Sequence, residues 1–416
     1  MTHWLEGLQS SPYLRIVGLG FIVLVLQIPI GMFKDVIYER QQRRQMAIDE
    51  ITGKWGREQS IIGPVLILPF EKKILRVEDD GQTRITRVKD HAVFLPDVLK
   101  VRARVESNVL SRGIYNVPVY SAELSMTGEF SPLDFSHGEI PDQDVFWEQA
   151  TLSVSISDER AVSSASQIVW GAKVLSLEPS SKLGGDSGIH ARVPSEHTRG
   201  VSIEFGIDLK IQGSNSISFA PLGEQSSISM NSNWKDPSFT GPWLPVRRSS
   251  TATGFDAEWS VELLGKNYPR GWIGLTKYQE ELTDSLVGTR FLPGIAPYRM
   301  IIRSLQYHML FLVMVFMGFW LFEVVGGVEL HLMQYIFVGG GMCLFYLLEL
   351  SLAEHVEFVW AYGGSAFIVC LLFGGYVKSI LKSGGPTTLM VGVLILLYGF
   401  LYMDLSDQDF TLLIGA

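Results

Sequence analysis

The chain has 416 residues, 47% of them hydrophobic and only 19% charged, with a net charge of −9; an ordinary globular domain carries roughly 25% charged residues. The deficit sits at the two ends: residues 304–416 hold eight acids and two bases, residues 1–33 one of each, and the stretch between them 34 acids and 31 bases. This pattern excludes a disordered chain, a collagen, a small disulfide scaffold and a nucleic-acid binder with a basic face.

A helix of about 20 apolar residues crosses ~30 Å of hydrocarbon with every backbone group bonded internally. Residues 16–33 (IVGLGFIVLVLQIPIGMF) carry no charge and meet that need. No basic cluster precedes them and no small-residue cleavage site follows, so residues 1–33 read as a tail and an uncleaved anchor rather than a signal peptide. Pro29 is expected to kink the anchor, since it removes a backbone donor. The charged run KDVIYERQQRRQMAIDEI after it is compatible with a continuing helix.

Residues 34–303 read as one β-rich domain. Polar and apolar residues alternate over Thr151–Ser157, Val201–Ile211, Ser216–Ala220, Ser227–Met230 and Phe255–Val261, the pattern of strands with one buried and one wet face. Asp79–Gly81 and Gly213–Asn215 each lie between two such runs and predict hairpins. Glu178–Gly188, rich in Gly, Ser and Pro, predicts a long flexible loop. The expected architecture is an antiparallel sandwich. The segment has no cysteine, since Cys343 and Cys370 both lie in later apolar runs; a thiol-free domain suits an oxidising compartment. Within it, Ser232–Pro245 has the residue types of a turn, because each residue before a proline is driven towards extended geometry. At least two of Trp234, Phe239 and Trp243 are expected to be buried and to fix this loop on a sheet. The alternative is that they are exposed as a partner-binding patch.

Residues 304–416 read as a transmembrane bundle with spans at about 304–325, 332–352, 358–377 and 386–403, and residues 409–416 as the opening turns of a further one. Lys378 and Lys382 mark the loop after residue 377 as cytoplasmic, whereas Glu354, Glu357, Asp404, Asp407 and Asp409 mark the other loops as outside. Parity then puts the amino terminus inside and the 34–303 domain outside. Lys34, Arg40, Arg43, Arg44, Arg299 and Arg303 argue the opposite, but long domains translocate largely regardless of charge.

Several strings in this order resemble the CreD family of bacterial inner-membrane proteins. They are SNWKDPSFTGPWLP (Ser232–Pro245), GFDAEW (Gly254–Trp259), Phe322–Glu323, HLMQY (His331–Tyr335), FYLLELSLAEH (Phe345–His355) and Gly63–Pro64 before an apolar strand. The resemblance covers nearly the whole chain. It implies a multi-pass protein of the bacterial inner membrane with its large domain in the periplasm, associated with envelope integrity and with the output of a two-component regulatory system. It implies no reaction.

The residues themselves also offer little chemistry. There is no GxSxG, P-loop, HExxH or GxGxxG after a strand. Gly339–Gly341 sit in an apolar span and favour close helix packing. Glu196–His197 and Glu354–His355 make no metal site as isolated pairs. Trp234, Trp243, Trp259 and Trp272 are expected to fill a core rather than stack on sugars. Glu349 stands out as a charge within an apolar span. It reads first as a carboxylate solvated near the outer surface, and the functional alternative is an ion or proton relay with Glu354, His355 and Gln334. No cofactor or metal is implied. The expected function is therefore non-enzymatic: an envelope protein with membrane lipids and another envelope component as partners. The alternative is a transporter or lipid-handling protein using the bundle.

Overall fold

The computed structural model describes residues 12–406 apart from 78–82, 134, 136–139, 184–186, 196–199, 292–296, 327–330 and 382–383. The turn at Asp79–Gly81, the pair Glu196–His197 and the tail 409–416 thus lie outside the described residues. The chain divides into two compact units, Met1–Met46 with Ile295–Ala416, and Ala47–Gly294.

The first helix, α1 (Pro12–Trp55), is 44 residues long, about 66 Å at 1.5 Å per residue. It continues without interruption from the apolar anchor through the charged stretch, with Pro29 inside it. It stops at Gly56, whose φ of 147° favours glycine, where a Cβ would run into the Gln212 backbone.

The strands that follow are β1 (Gln59–Val77), β2 (Thr83–Phe94), β3 (Val98–Arg112), β4 (Tyr115–Phe130), β5 (Thr151–Ile156), β6 (Gln167–Trp170), β7 (Lys173–Leu175), β8 (Glu178–Pro179), β9 (Gly188–Arg192), β10 (Ile203–Ser214), β11 (Ser216–Phe219), β12 (Gln225–Ser232), β13 (Pro237–Thr240), β14 (Arg247–Thr251), β15 (Gly254–Glu262), β16 (Gly271–Ile273) and β17 (Val287–Phe291), with a short helix α2 (Gln279–Asp284) before the last. They form two sheets. The nine-stranded sheet runs β13-β17-β11-β1-β5-β9-β8, with β2 on β1 and β16 on β2; the eight-stranded sheet runs β14-β15-β12-β3-β4-β10-β6-β7. One apolar core, including Val65, Leu68, Val101, Met126, Ile207 and Trp259, takes residues from both sheets.

The alternating runs are strands, but three of their relationships differ from expectation. Gly213–Asn215 does not make a hairpin: β10 pairs with β4 and β6, and β11 with β1 and β17. The turn instead carries the chain from one sheet to the other, with Asn215 at φ 58° and Gly213 where a Cβ would strike the Tyr120 ring. Two pairings are parallel, β1 with β11 and β12 with β3; alternation reports a strand's faces and says nothing about the direction of its partner. Within Glu178–Gly188, Glu178 and Pro179 pair with His190 and Ile189 rather than forming free loop, because an edge strand there still finds backbone partners.

The carboxyl-terminal helices are α3 (Pro297–Gln306), α4 (His308–Gly326), α5 (Leu332–Ala353), α6 (Phe358–Leu381) and α7 (Gly384–Ser406). Among the described residues four helices (α1, α5, α6 and α7) are long and apolar enough to cross a membrane, and a fifth crossing results if α3 and α4, bent by 49°, are one span. The expected unbroken span from residue 304 is therefore corrected. The break falls at Tyr307, where His308 Nδ1 donates to the Leu305 carbonyl and takes an acceptor from the helix ladder. Of the three glycines Gly339–Gly341, a Cβ at Gly339 would meet Leu26 and Phe316, whereas Gly340 and Gly341 have open space. Close packing therefore depends on Gly339.

Candidate functional site

The outer face of the eight-stranded sheet is polar in every strand that crosses its middle. Register lines these residues up in two rungs. One reads Gln167, Asp208, Ser125, Arg102, Ser229, Glu258, Arg247; the other reads Lys210, Glu123, Arg104, Asn231, Asp256, Ser249. They line a shallow groove of about 880 Å³. Alternation explains this: in β3 the even positions Lys100, Arg102 and Arg104 are exposed while Leu99, Val101, Ala103 and Val105 are buried. Each acid of the groove is hydrogen-bonded or ion-paired. Glu123 accepts from Lys210 at 2.7 Å, Asp256 from Asn231 at 2.7 Å and Asp208 from Gln167 at 3.4 Å, and Glu258 lies 3.7 Å from Arg247. The hydrogen bond from Lys210 holds the Glu123 carboxyl below its usual range. None of these residues was a candidate in the sequence, although the spacing of Lys100, Arg102 and Arg104 was visible there.

The tryptophan segment is not a free loop. Pro237–Thr240 is strand β13, paired with β17. Trp234, Phe239 and Trp243 are all half-buried, not buried as expected, and pack against the core. The reason is position: β13 ends the nine-stranded sheet, so its side chains are covered on one side only. Trp234 meets Phe291 edge-on at 5.9 Å, and Phe239 meets Trp259 at 5.6 Å. Trp259 Nε1 donates to the Trp243 carbonyl at 3.2 Å. Trp259 and Trp272 do lie in the core.

In the bundle the sequence candidates do not converge. Glu349 is fully buried, at 0% exposure, so the expected solvation at a thinned interface is corrected. The reason is that α3 packs over it: Ser304 Oγ donates to Glu349 Oε2 at 3.3 Å. Among the described residues its Oε1 has no hydrogen-bond partner, and neither do the buried hydroxyls of Tyr346 and Tyr398. Glu354 is held instead by Arg40 of α1 at 2.6 Å. His355 is exposed and donates from Nδ1 to the Ser351 carbonyl at 3.1 Å. Gln334 lies 15 residues before Glu349 on α5, about 22 Å away, where it accepts from the His331 amide at 3.1 Å in a capping box. A further polar pair, His308 Nε2 with Gln27 Oε1 at 2.6 Å, joins α4 to α1. A carboxyl buried with one oxygen unpartnered is costly, while an apolar replacement of similar shape is often neutral or stabilising. Glu349→Met is therefore expected to leave the thermal midpoint of the detergent-solubilised protein unchanged or a few degrees higher. A fall of about 10 °C or more would show that the carboxyl holds the bundle together.

Among the described residues no group of three or more His, Cys, Asp or Glu is placed to hold a metal ion.

Residues 11–416 match the family described as Inner membrane protein CreD. The Escherichia coli (strain K12) protein of that description is 27% identical over 418 residues, covering 98% of this chain and 90% of that one. Among solved structures, an M1 zinc metallopeptidase from Deinococcus radiodurans aligns at 6% identity over 40% of this chain and 38% of its own, with a TM-score of 0.20. A mutant of it bound to a Tyr-Ser-Ala substrate aligns at 7% identity over 51% and 52%, also with a TM-score of 0.20. A likeness at that level carries nothing over to this chain.

Proposed function

The chain belongs to the CreD family of inner membrane proteins, and on that premise we propose that it is a non-enzymatic protein of the cell envelope. The β domain stands on the periplasmic side and engages another envelope component, contributing in this way to envelope integrity or the response to envelope stress. The bundle anchors it among membrane lipids. The observation that carries this reading is the polar groove of about 880 Å³ across the eight-stranded sheet. Ligand sites are concave and place a few polar groups convergently, and this groove does so on rigid, paired strands.

The transport or lipid-handling reading needs polar residues converging on a path near mid-membrane. Two bundle cavities, of about 330 and 230 Å³, are lined by apolar and aromatic side chains, and neither includes Glu349, Gln334 or Gln27. The anchoring role is therefore preferred.

In-cell photo-crosslinking tests the groove. A photoreactive residue at Asn231, which is exposed in the groove, is expected to give a discrete adduct. The same residue at Leu264, which is 98% exposed and outside the groove, is expected to give none. Equal labelling from both positions, or none from Asn231, would remove the basis for the reading.

A further inference from the structure

Along the outer face of β3 runs a row of three cations, two of which, Arg102 and Arg104, line the groove. Lys100, Arg102 and Arg104 are exposed on the same face of β3, and among the described residues none of the three has an ion-pair or hydrogen-bond partner. Their cross-strand neighbours on β4 and β12 are hydroxyl residues beside the first two, Thr127 and Ser227 at Lys100 and Ser125 and Ser229 at Arg102, and Glu123 and Asn231 beside Arg104. The acids of the groove compensate the row only in part: Glu123 stands opposite Arg104 and is stabilised by its charge. Glu123 and Glu258 are turned to basic residues on strands further out, Lys210 and Arg247. Asp256 is taken by Asn231.

We propose that this face receives an extended acidic segment of a partner protein, whose carboxylates lie along Lys100, Arg102 and Arg104. The spacing argues for a peptide. Alternate residues of β3 are about 6.8 Å apart, and an extended peptide presents alternate side chains to one side with that same step. Three carboxylates at i, i+2 and i+4 therefore meet three cations over about 14 Å, with no adjustment of either backbone. Arginine supplies the two-pronged, charge-assisted hydrogen bonds that carboxylates accept. The small hydroxyl side chains beside Lys100 and Arg102 leave that part of the row accessible. The inference rests on the reading of the groove as a binding surface and adds the class of ligand.

The test uses the full chain in an uncharged detergent and a fluorescein-labelled peptide of alternating Glu and Thr, read by fluorescence anisotropy at low salt. Binding is expected, and it should weaken about tenfold or more in the double variant Arg102→Glu/Arg104→Glu and on adding salt. The milder Arg102→Gln/Arg104→Gln should fall between. Arg192→Glu, an exposed charge reversal on the other sheet, should bind as the unaltered chain does, and a Gln/Thr peptide should not bind. Equal binding by the double variant, or equal loss in Arg192→Glu, overturns the proposal. So does row-dependent binding of vesicles containing anionic phospholipid without binding of the peptide, which would assign the row to lipid headgroups. If the peptide fails while Asn231 still crosslinks in cells, the acidic segment is wrong and the groove's binding role stands. If both fail, both readings fall.

Discussion

Trp259→Ala is expected to destabilise the β domain by about 3–5 kcal/mol, the usual loss when a large aromatic side chain is removed from a core. In a unit of this size that corresponds to a fall of about 10 °C in thermal midpoint, measurable by circular dichroism of the full chain in detergent. The magnitude follows from what the indole touches. Trp259 is fully buried in β15, its ring meets Phe239 edge-on at 5.6 Å, and its Nε1 donates to the Trp243 carbonyl at 3.2 Å. Truncation therefore empties a core position, releases Phe239 from one side and leaves a carbonyl near the β13 segment without its donor. Trp234→Ala should cost less, about 1–2 kcal/mol, because that ring is half-buried and loses only part of a full burial. A larger loss at Trp234 than at Trp259 would mean that the sheet edge, not the core, holds this segment in place.

That contrast shows what could be read in the sequence and what could not. The alternation in Val201–Ile211 identified β10 directly, because a strand's own faces are written in its own residues. Which strand lies beside it is not. The turn at Gly213–Asn215 has the residue types of a hairpin, yet β4 takes β10 along its whole length and the chain leaves for the other sheet. Trp234, Phe239 and Trp243 are only half-buried for the same reason, since the place of their segment at a sheet end is a property of strand order. In the bundle, Glu349 was conspicuous as a charge in an apolar run, but its enclosure depends on Ser304 of a helix 45 residues earlier. Gln334 is polar in the same apolar run, but most of the length of α5 separates it from Glu349, and its bond to the His331 amide marks a helix start. The row in β3 is legible in the sequence, three basic residues at steps of two in a run whose other members are apolar.

The second large effect is all-or-none and concerns sidedness. In a chain with Cys343→Ala and Cys370→Ala, a cysteine at Leu264 is expected to react with a membrane-impermeant maleimide in intact spheroplasts. One at Gly385, exposed at the start of α7, should react only after lysis. The argument starts from charge. Lys378 lies in the last turn of α6, while Glu354 and Glu357 lie between α5 and α6 and Asp404 lies near the end of α7; basic residues favour the cytoplasmic side of short loops. Against this stood the basic residues that follow the anchor. Two of them are engaged with acids: Arg43 with Glu39 at 2.6 Å and Arg40 with Glu354 at 2.6 Å. The second contact also carries geometric information. Arg40 follows the apolar stretch of α1 and Glu354 follows α5, so their contact requires both helices to emerge on the same face of the membrane. That face carries Glu354 and Glu357, the acidic loop expected outside from its charge. A cysteine at Gly385 that reacts in intact spheroplasts, with the one at Leu264 protected until lysis, would invert the whole arrangement and put the sheet groove in the cytoplasm.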